Sequence, residues 1–184
     1  PAPAIKHDKR RRRAFLDALP FALTKAQGRV LGDIDRDLAA GKPMLRLVQG
    51  DVGSGKTVVA ALAALAASDA HVQTAVMAPT ELLAEQHLRN FLNWCEPLGL
   101  RVVWLAGKVT ATARAKALAD IAAGADIVIG THALMQEGVV FANLGLAIID
   151  EQHRFGVHQR LALRNKGRDG TRAPHQLVMT ATPI

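Results

Sequence analysis

The sequence predicts a three-layer α/β/α sandwich with a mostly parallel sheet, and three observations support this fold class. Helical segments alternate with short apolar strands from residue 24 onward. The strands are continuous apolar runs rather than alternating ones, as strands of a parallel sheet covered on both faces must be. The polar motifs of the chain follow its strands directly, and α/β folds of this kind bind ligands at the carboxyl ends of their strands.

The predicted elements follow in a regular order. Thr24 can cap a first helix that ends at Gly41–Pro43, where glycine and proline stop it. The predicted helices are Thr24–Ala40, Lys56–Ala67, Thr80–Cys95 and Ala111–Ala123. The predicted strands are Met44–Gln49, Gln73–Ala78, Arg101–Leu105, Asp126–Gly130, Leu146–Asp150 and Gln176–Thr180. A chain of 184 residues suits one such domain, which we assign to residues 21–184.

The net charge of the chain is +7, which fits a polyanionic partner such as DNA or RNA. Part of this excess lies in Lys9–Arg13 (KRRRR), within residues 1–20, which we interpret as a basic entry segment or connector. The run is either a solvated tail or helix face, or a direct contact to phosphates.

The cysteine content and the apolar runs bear on the setting of the protein. Cys95 is the single cysteine and cannot form a disulfide within the chain, which favours a reducing, cytosolic setting. The longest apolar run, Val58–Ala67, is too short to span a bilayer, and no signal peptide is visible. The seven histidines are scattered and no cysteine pair exists, so we expect no zinc site.

A phosphate-binding loop is predicted at Gly50–Thr57 (GDVGSGKT), which fits G-x-x-x-x-G-K-[ST] between a strand and a helix. Glycines let the backbone curl around phosphate oxygens, and the helix N-terminus adds roughly half a positive charge. Lys56 can reach the β- and γ-phosphates, and the Thr57 hydroxyl can bind Mg²⁺. The predicted nucleotide-binding residues here are Gly50, Gly53, Ser54, Gly55, Lys56 and Thr57. The alternative is a glycine-rich turn with a surface lysine.

Two acids end the apolar strand that begins at Leu146. We expect Asp150 to hold Mg²⁺, mostly through water, and Glu151 to orient and deprotonate the attacking water. Adjacent strand residues point to opposite faces, so both acids can serve one site only where the strand ends and the chain turns. The alternative is a pair of solvent-facing acids.

Five motifs, in order, resemble those of superfamily 2 helicases. The phosphate loop is followed by Ala78–Gln86 (APTELLAEQ), Gly130–Leu134 (GTHAL), Asp150–His153 (DEQH) and Thr180–Thr182 (TAT). The strings GDVGSGKT, APTELLAEQH, GTHALMQE, IIDEQHRFGVHQRLAL and MTATPI are most similar to the RecG family of DNA helicases. The transcription-repair coupling factors are the nearest alternative, but they usually carry Glu where this chain has Gln152.

The resemblance implies a P-loop, RecA-like first motor lobe that uses ATP and Mg²⁺. It implies action on branched DNA, such as forks and Holliday junctions, in recombination and repair. A second motor lobe and an N-terminal wedge domain, both absent from this chain, would be its partners, and we expect a monomer. The residues that would couple the nucleotide site to DNA are Gln152, His153, Thr180, Ala181 and Thr182. The residues that would hold the DNA backbone are Pro79, Thr80, Gly130, Thr131 and His132.

The segment Leu19–Gln27 resembles the Q-motif of these helicases, in which the glutamine amide reads the adenine edge. Thr24 and Gln27 also have the spacing of a capping box, so Gln27 has two possible roles. We expect Trp94 and Trp104 to pack in the core or in an interface rather than to stack on bases. Two other functions remain open: a P-loop kinase for a small molecule, and a DNA-binding module that does not hydrolyse ATP.

Overall fold

The computed structural model describes residues 1–50, 55–105, 109–151, 165–166 and 172–180, and for Glu151 the backbone alone. In this part of the chain six strands form one sheet: Leu45–Gln49 (β1), Gln73–Met77 (β2), Val102–Leu105 (β3), Ile127–Gly130 (β4), Leu144–Glu151 (β5) and His175–Thr180 (β6). Their order is β1-β6-β5-β2-β4-β3, and every pair is parallel. All six strands therefore end on the same side, which we call the carboxyl end of the sheet.

Helices cover both faces of this sheet. The α-helices are Lys9–Ala18 (α1), Lys25–Ala39 (α2), Lys56–Asp69 (α3), Glu81–Cys95 (α4) and Ala111–Ala122 (α5), and short 3₁₀ helices lie at Glu96–Leu98 and His132–Met135. Neighbouring residues of β5 enter different cores: Ile148 joins the cluster under α1 to α4, and Ile149 joins the cluster under α5. The three-layer α/β/α prediction is confirmed. None of the helices in the described ranges has the length and apolar character needed to cross a membrane.

The helix starts follow from the capping residues. Thr24, Thr80 and Thr110 precede α2, α4 and α5, and each hydroxyl accepts a hydrogen bond from the amide three residues later. By contrast, α3 starts after Gly55, which has a left-handed φ of 84° and no capping side chain. Among the described residues, the first amides of α3 therefore have no capping side chain as acceptor, and free amides at a helix start can bind an anion.

The predicted helices and strands are present, with ends that differ by one or two residues. The largest difference is β5, which starts at Leu144 instead of Leu146. The backbone amide of Gln73 donates to the carbonyl of Asn143, and the Gln73 side chain accepts from the Asn143 amide. This pairing, between residues 70 positions apart, extends the strand backward and leaves no local signal in the sequence.

The helix α1 was not predicted as a separate element. Asp8 caps it, accepting from the amides of Arg10 and Arg11, and Phe15 buries its apolar side in the larger core. Phe15 also meets Trp94 of α4 edge to face, with ring centroids 6.1 Å apart. Residues 9–18 are therefore packed against α3 and α4.

The basic run at the start of α1 divides into two sets of side chains. Arg11 donates to Asp69 at the end of α3 (2.6 Å), and Arg12 makes two hydrogen bonds to Asp35 of α2 (2.6 and 2.8 Å). The remaining residues, Lys9, Arg10 and Arg13, are exposed. The two interpretations of the run, a solvated tail or helix face and a direct contact to phosphates, did not include these ion pairs of Arg11 and Arg12, because the partners lie 58 and 23 residues away.

The first five residues are held at the amino end of the sheet. Ile5 is buried, and its amide donates to the carbonyl of Leu38. His175, which is buried at the start of β6, accepts from the Met44 amide at Nδ1 (3.0 Å) and bonds the Pro3 carbonyl through Nε2 (2.7 Å). Burial lowers the pKa of His175, and the bond to Pro3 opposes this shift.

Candidate nucleotide and nucleic-acid site

A cleft of about 320 Å³ lies at the carboxyl end of the sheet. The start of α3 and one side of α4 form its walls, and the end of β5 contributes Asp150. Three of the predicted nucleotide-site residues that line it are Lys56, Thr57 and Asp150. The structure therefore brings together the lysine, the hydroxyl and the carboxylate of motifs that are separated by more than 90 residues in the sequence.

Gly55 adopts a backbone conformation that favours glycine. Its φ of 84° lies in the left-handed region, and a Cβ atom there would lie 1.8 Å from Nε2 of Gln27. Gln27 thus sits directly against the end of the phosphate loop. Its Oε1 accepts from the Thr24 amide, and the Thr24 hydroxyl accepts from the Gln27 amide, so the predicted capping box is confirmed. The adenine contact of Gln27 stays a prediction.

Asp150 has a partner that the sequence did not reveal. Nε2 of His87, on α4, lies 2.7 Å from Oδ2 of Asp150, and both side chains are largely buried. His87 belongs to the buried stripe of α4, together with Ala84, Phe91 and Cys95. A histidine in an otherwise apolar stripe was the available signal, but its partner lies 63 residues away.

The entry to the phosphate loop is joined to β6. The amide of Gly50 donates to the carbonyl of Thr180 (3.1 Å), continuing the ladder between β1 and β6. Thr180 also lies opposite Glu151 in the register of β5 and β6. The predicted coupling residue Thr180 is therefore next to both the phosphate loop and the acidic pair.

The predicted DNA-backbone residues gather at two adjacent strand ends. The amide of Ala78 donates to the carbonyl of Gly130 (3.0 Å), which places the chain after β2 beside the chain after β4. Gly130 is packed so closely that a Cβ atom would lie 2.3 Å from the Leu105 carbonyl oxygen. At this surface Thr80 and His132 are exposed, Pro79 is half-buried, and Thr131 is buried. Of the two predicted threonines, Thr80 is thus the accessible one.

Several predicted residues fall outside the described part of the chain. They are Gly53 and Ser54 of the phosphate loop, and the coupling residues Gln152, His153, Ala181 and Thr182. For Glu151 only the strand position is described. The roles of these residues stay predictions.

Both tryptophans pack against the larger core, as expected. Trp94 and Trp104 are partly buried against it, and Trp94 also borders the cleft. Cys95 is buried beside them, and burial raises the pKa of its thiol to about 12.

Comparison with known proteins identifies the family to which the chain belongs. The sequence profile of the DEAD/DEAH box helicases matches residues 24–184, which is most of the chain. The chain belongs to the DEAD/DEAH box helicase family. This helicase domain is 62% identical over 171 residues to the ATP-dependent DNA helicase RecG of Haemophilus influenzae, covering 92% of this chain and 25% of that protein. It is 54% identical to RecG of Acidithiobacillus ferridurans over 184 residues, covering 100% of this chain and 26% of that protein.

Solved structures agree with the sequence comparison. The helicase domain superposes on RecG bound to a three-way DNA junction with a TM-score of 0.84 at 46% identity, covering 100% of this chain and 24% of that one. It matches the yeast DEAD-box splicing factor Prp28 with a TM-score of 0.73 at 17% identity, covering 94% and 43%, which shows a shared fold. The resemblance to RecG is confirmed, and the chain spans about a quarter of the length of these RecG relatives.

Proposed function

We propose that this chain is the ATP-binding motor lobe of a RecG-type DNA helicase that acts on branched DNA. The observation that carries the proposal is the cleft at the carboxyl end of the sheet, where Lys56, Thr57 and Asp150 meet. The similarity to RecG helicases supports the choice of substrate. A second motor lobe and a wedge domain would complete the protein, and the activity belongs to that whole.

The residues that line the cleft fit Mg-ATP. Mg²⁺ prefers hard oxygen ligands, and the cleft offers the Thr57 hydroxyl and the Asp150 carboxylate. When bound, the ion would neutralise charge on the phosphates. The start of α3 and Lys56 would bind the phosphate oxygens, and Gln27 would read the adenine edge. Glu151, which follows Asp150 on β5, would accept the proton of the attacking water.

The DNA would be held through its phosphates at the surface formed by the chain after β2 and the chain after β4. The exposed Thr80 there already accepts from the Leu83 amide, which leaves its hydroxyl proton free to donate to a phosphate oxygen. His132 and the neighbouring backbone amides would add further contacts. Binding through the backbone is independent of sequence and weakens steeply with salt. The predicted residues Gln152, His153, Thr180, Ala181 and Thr182 would couple this surface to the nucleotide.

Nucleotide titration tests the binding half of the proposal. Lys56→Ala should weaken ATP more than ADP, because it leaves the γ-phosphate charge unpaired. Gln27→Ala should reduce the preference for adenine over guanine while Mg²⁺ dependence persists. A wild-type chain that binds neither ATP nor ADP with Mg²⁺ would overturn the proposal. Equal adenine preference in the Gln27 variant would leave that residue with its capping role alone.

Steady-state ATP turnover tests whether hydrolysis requires a second motor lobe. We expect the 184-residue chain to hydrolyse ATP very slowly, because an arginine finger from another lobe contributes roughly 10³–10⁵ in rate in related nucleotide hydrolases. We expect no unwinding, because one lobe has no partner against which to close. DNA-stimulated turnover near that of the complete helicase, abolished by Glu151→Gln, would contradict this expectation. Turnover stimulated by a small phosphate acceptor instead of DNA would favour a kinase.

A further inference from the structure

His87 ends the string APTELLAEQH and Asp150 begins DEQH, but neither motif predicts the contact between them. His87 lies in the middle of α4, in the stripe that packs on the sheet, where the residues one turn before and one turn after it are Ala84 and Phe91. An imidazole in that position loses its contact with water, which is costly unless its nitrogens are bonded. The 2.7 Å contact to Asp150 provides a hydrogen bond for one of the two nitrogens, Nε2.

The other nitrogen of His87 marks the site as built for more than packing. Among the described residues, Nδ1 of His87 is buried and has no hydrogen-bond partner. With a neutral imidazole beside a carboxylate, Nε2 carries the proton that is donated to Asp150, and Nδ1 is left as an acceptor. A buried acceptor of this kind is uncommon and calls for an explanation, which a bordering ligand site supplies. His87 borders the cleft that holds Lys56 and Thr57.

The position of His87 on α4 gives the pair a second property. The same helix begins at the capping residue Thr80, which is exposed at the proposed DNA surface. Seven residues separate Thr80 from His87, or two helical turns and about 10 Å of rise. A helix moves as a unit over this length. If a bound DNA backbone displaced the first turn of α4, His87 would move with it and would shift the Asp150 carboxylate through their hydrogen bond.

We propose that His87 is a positioning residue that sets the orientation of the Asp150 carboxylate and makes this metal ligand follow the helix that faces DNA. The proposal rests on the function proposed above. In this role His87 acts through Asp150 and needs no contact of its own with the ion. Its hydrogen bond fixes one carboxylate oxygen, so that the other can face the cleft. Partners of this kind, one step removed from a metal, commonly change metal affinity by about 10- to 100-fold when they are lost.

A matched pair of substitutions tests the first half. His87→Gln can place an amide N–H where Nε2 lies, whereas His87→Asn is one methylene shorter and cannot reach it. ADP affinity is measured by titration with and without Mg²⁺ for each variant and for Asn93→Ala, an exposed position on the same helix. We expect the gain in ADP affinity from Mg²⁺ to fall about tenfold in the Asn variant and to be largely retained in the Gln variant and the control. The Mg²⁺-free affinity should be unchanged in all of them.

Two outcomes would overturn this half of the proposal. One is an Asn variant that keeps the full Mg²⁺ gain, and the other is an equal loss in the Gln and Asn variants. Nitrogen-15 spectra of the imidazole provide a readout that needs no nucleotide: the His87 signal, assigned by its loss in either variant, should be that of the Nε2–H tautomer. An Nδ1–H tautomer would also overturn it. Failure of the wild-type chain to bind ADP would count against the proposed function instead, and the tautomer would still be measurable.

The second half concerns DNA. A forked oligonucleotide at low salt should change the Mg-ADP affinity of the wild-type chain and of the Gln variant, and the change should vanish in the Asn variant. Binding linkage requires that Mg-ADP change the DNA affinity by the same factor, which gives an internal check. The same DNA effect in all three proteins, or no effect in any of them, would overturn the link through α4.

Discussion

Two buried histidines sit at opposite ends of the sheet, and they differ in how well their nitrogens are satisfied. His175, at the amino end, bonds the Met44 amide with one nitrogen and the Pro3 carbonyl with the other. His87, at the carboxyl end, bonds Asp150 with one nitrogen, and the other has no partner among the described residues. The histidine at the amino end thus has the full pairing expected of a structural residue, whereas the histidine at the carboxyl end, where α/β folds bind ligands, keeps one buried nitrogen unpaired among the described residues.

The largest effect should come from breaking the amino end. His175→Leu removes both hydrogen bonds and leaves the Met44 amide and the Pro3 carbonyl without their partner. We expect a loss of about 2–4 kcal/mol in the free energy of unfolding, because buried groups left unpaired cost about 1–3 kcal/mol each. Urea unfolding measures this loss. At urea concentrations well below the unfolding midpoint, the ADP affinity of the variant should equal that of the wild type. A variant that stays folded but loses ADP binding would contradict the assignment of a structural role to the amino end and a binding role to the carboxyl end.

In α1, the paired Arg12 and the exposed Arg13 should differ in what they contribute to stability. Arg12→Ala breaks a pair with Asp35 whose members are 11% and 22% exposed, and it should cost about 1–3 kcal/mol. Arg13→Ala, the matched control, removes an exposed side chain and should change stability by less than about 0.5 kcal/mol. Thermal unfolding of both variants measures the difference. Equal midpoints would mean that the hydrogen bonds of Arg12 do not hold α1 in place.

The pH dependence of stability should carry the signature of His175. Because its folded pKa lies below the ordinary value of about 6.5, the unfolded chain binds the proton more readily. The contribution of His175 to the free energy of unfolding is therefore fully present above about pH 6.5, and it is lost as the pH drops from there toward the folded pKa. Asp37 is the nearby charge that opposes this shift. Unfolding curves between pH 7.5 and 5 measure the slope, and His175→Gln should flatten it. An unchanged slope in that variant would assign the proton uptake to another group.

The smallest effect concerns DNA affinity. Replacing Lys9, Arg10 and Arg13 together by Ala should leave stability nearly unchanged, because these side chains are exposed. If they contact phosphates, affinity at low salt should fall severalfold and the salt dependence should become shallower. Fluorescence anisotropy with a forked oligonucleotide at several salt concentrations measures both. An unaltered salt dependence would leave the run with a structural role in Arg11 and Arg12 only.

The motifs were predictable because their signals are local. The apolar run before Gly50 and the spacing to Lys56 place a loop between a strand and a helix without any knowledge of the rest of the chain. The cap at Thr24 and the position of Asp150 at a strand end follow in the same way. The strand order could not be deduced from these signals, but parallel strands made it certain that their motifs would share one end of the sheet.

What the sequence did not reveal depends on partners far along the chain. The contact between His87 and Asp150 spans 63 residues, and that between Arg11 and Asp69 spans 58. No periodicity or spacing rule links such positions. Gln27 is a different case, because the local pattern supported two roles at once. Its side chain forms the capping box and also lies against Gly55, so one residue can serve both.

The position of β6 between β1 and β5 has a consequence for folding during synthesis on the ribosome. In the described part of the chain, β1 at the rim of the sheet has β6 as its neighbour, and their contact joins residues as far apart as Met44 and His175. The strand that leads into the phosphate loop is thus made early, but it can enter the sheet only after residues 175–180 have left the exit tunnel. Closing so long a loop is slow compared with local pairing. We therefore expect the nascent chain to bind nucleotide only at a late stage, when β6 has been inserted between β1 and β5.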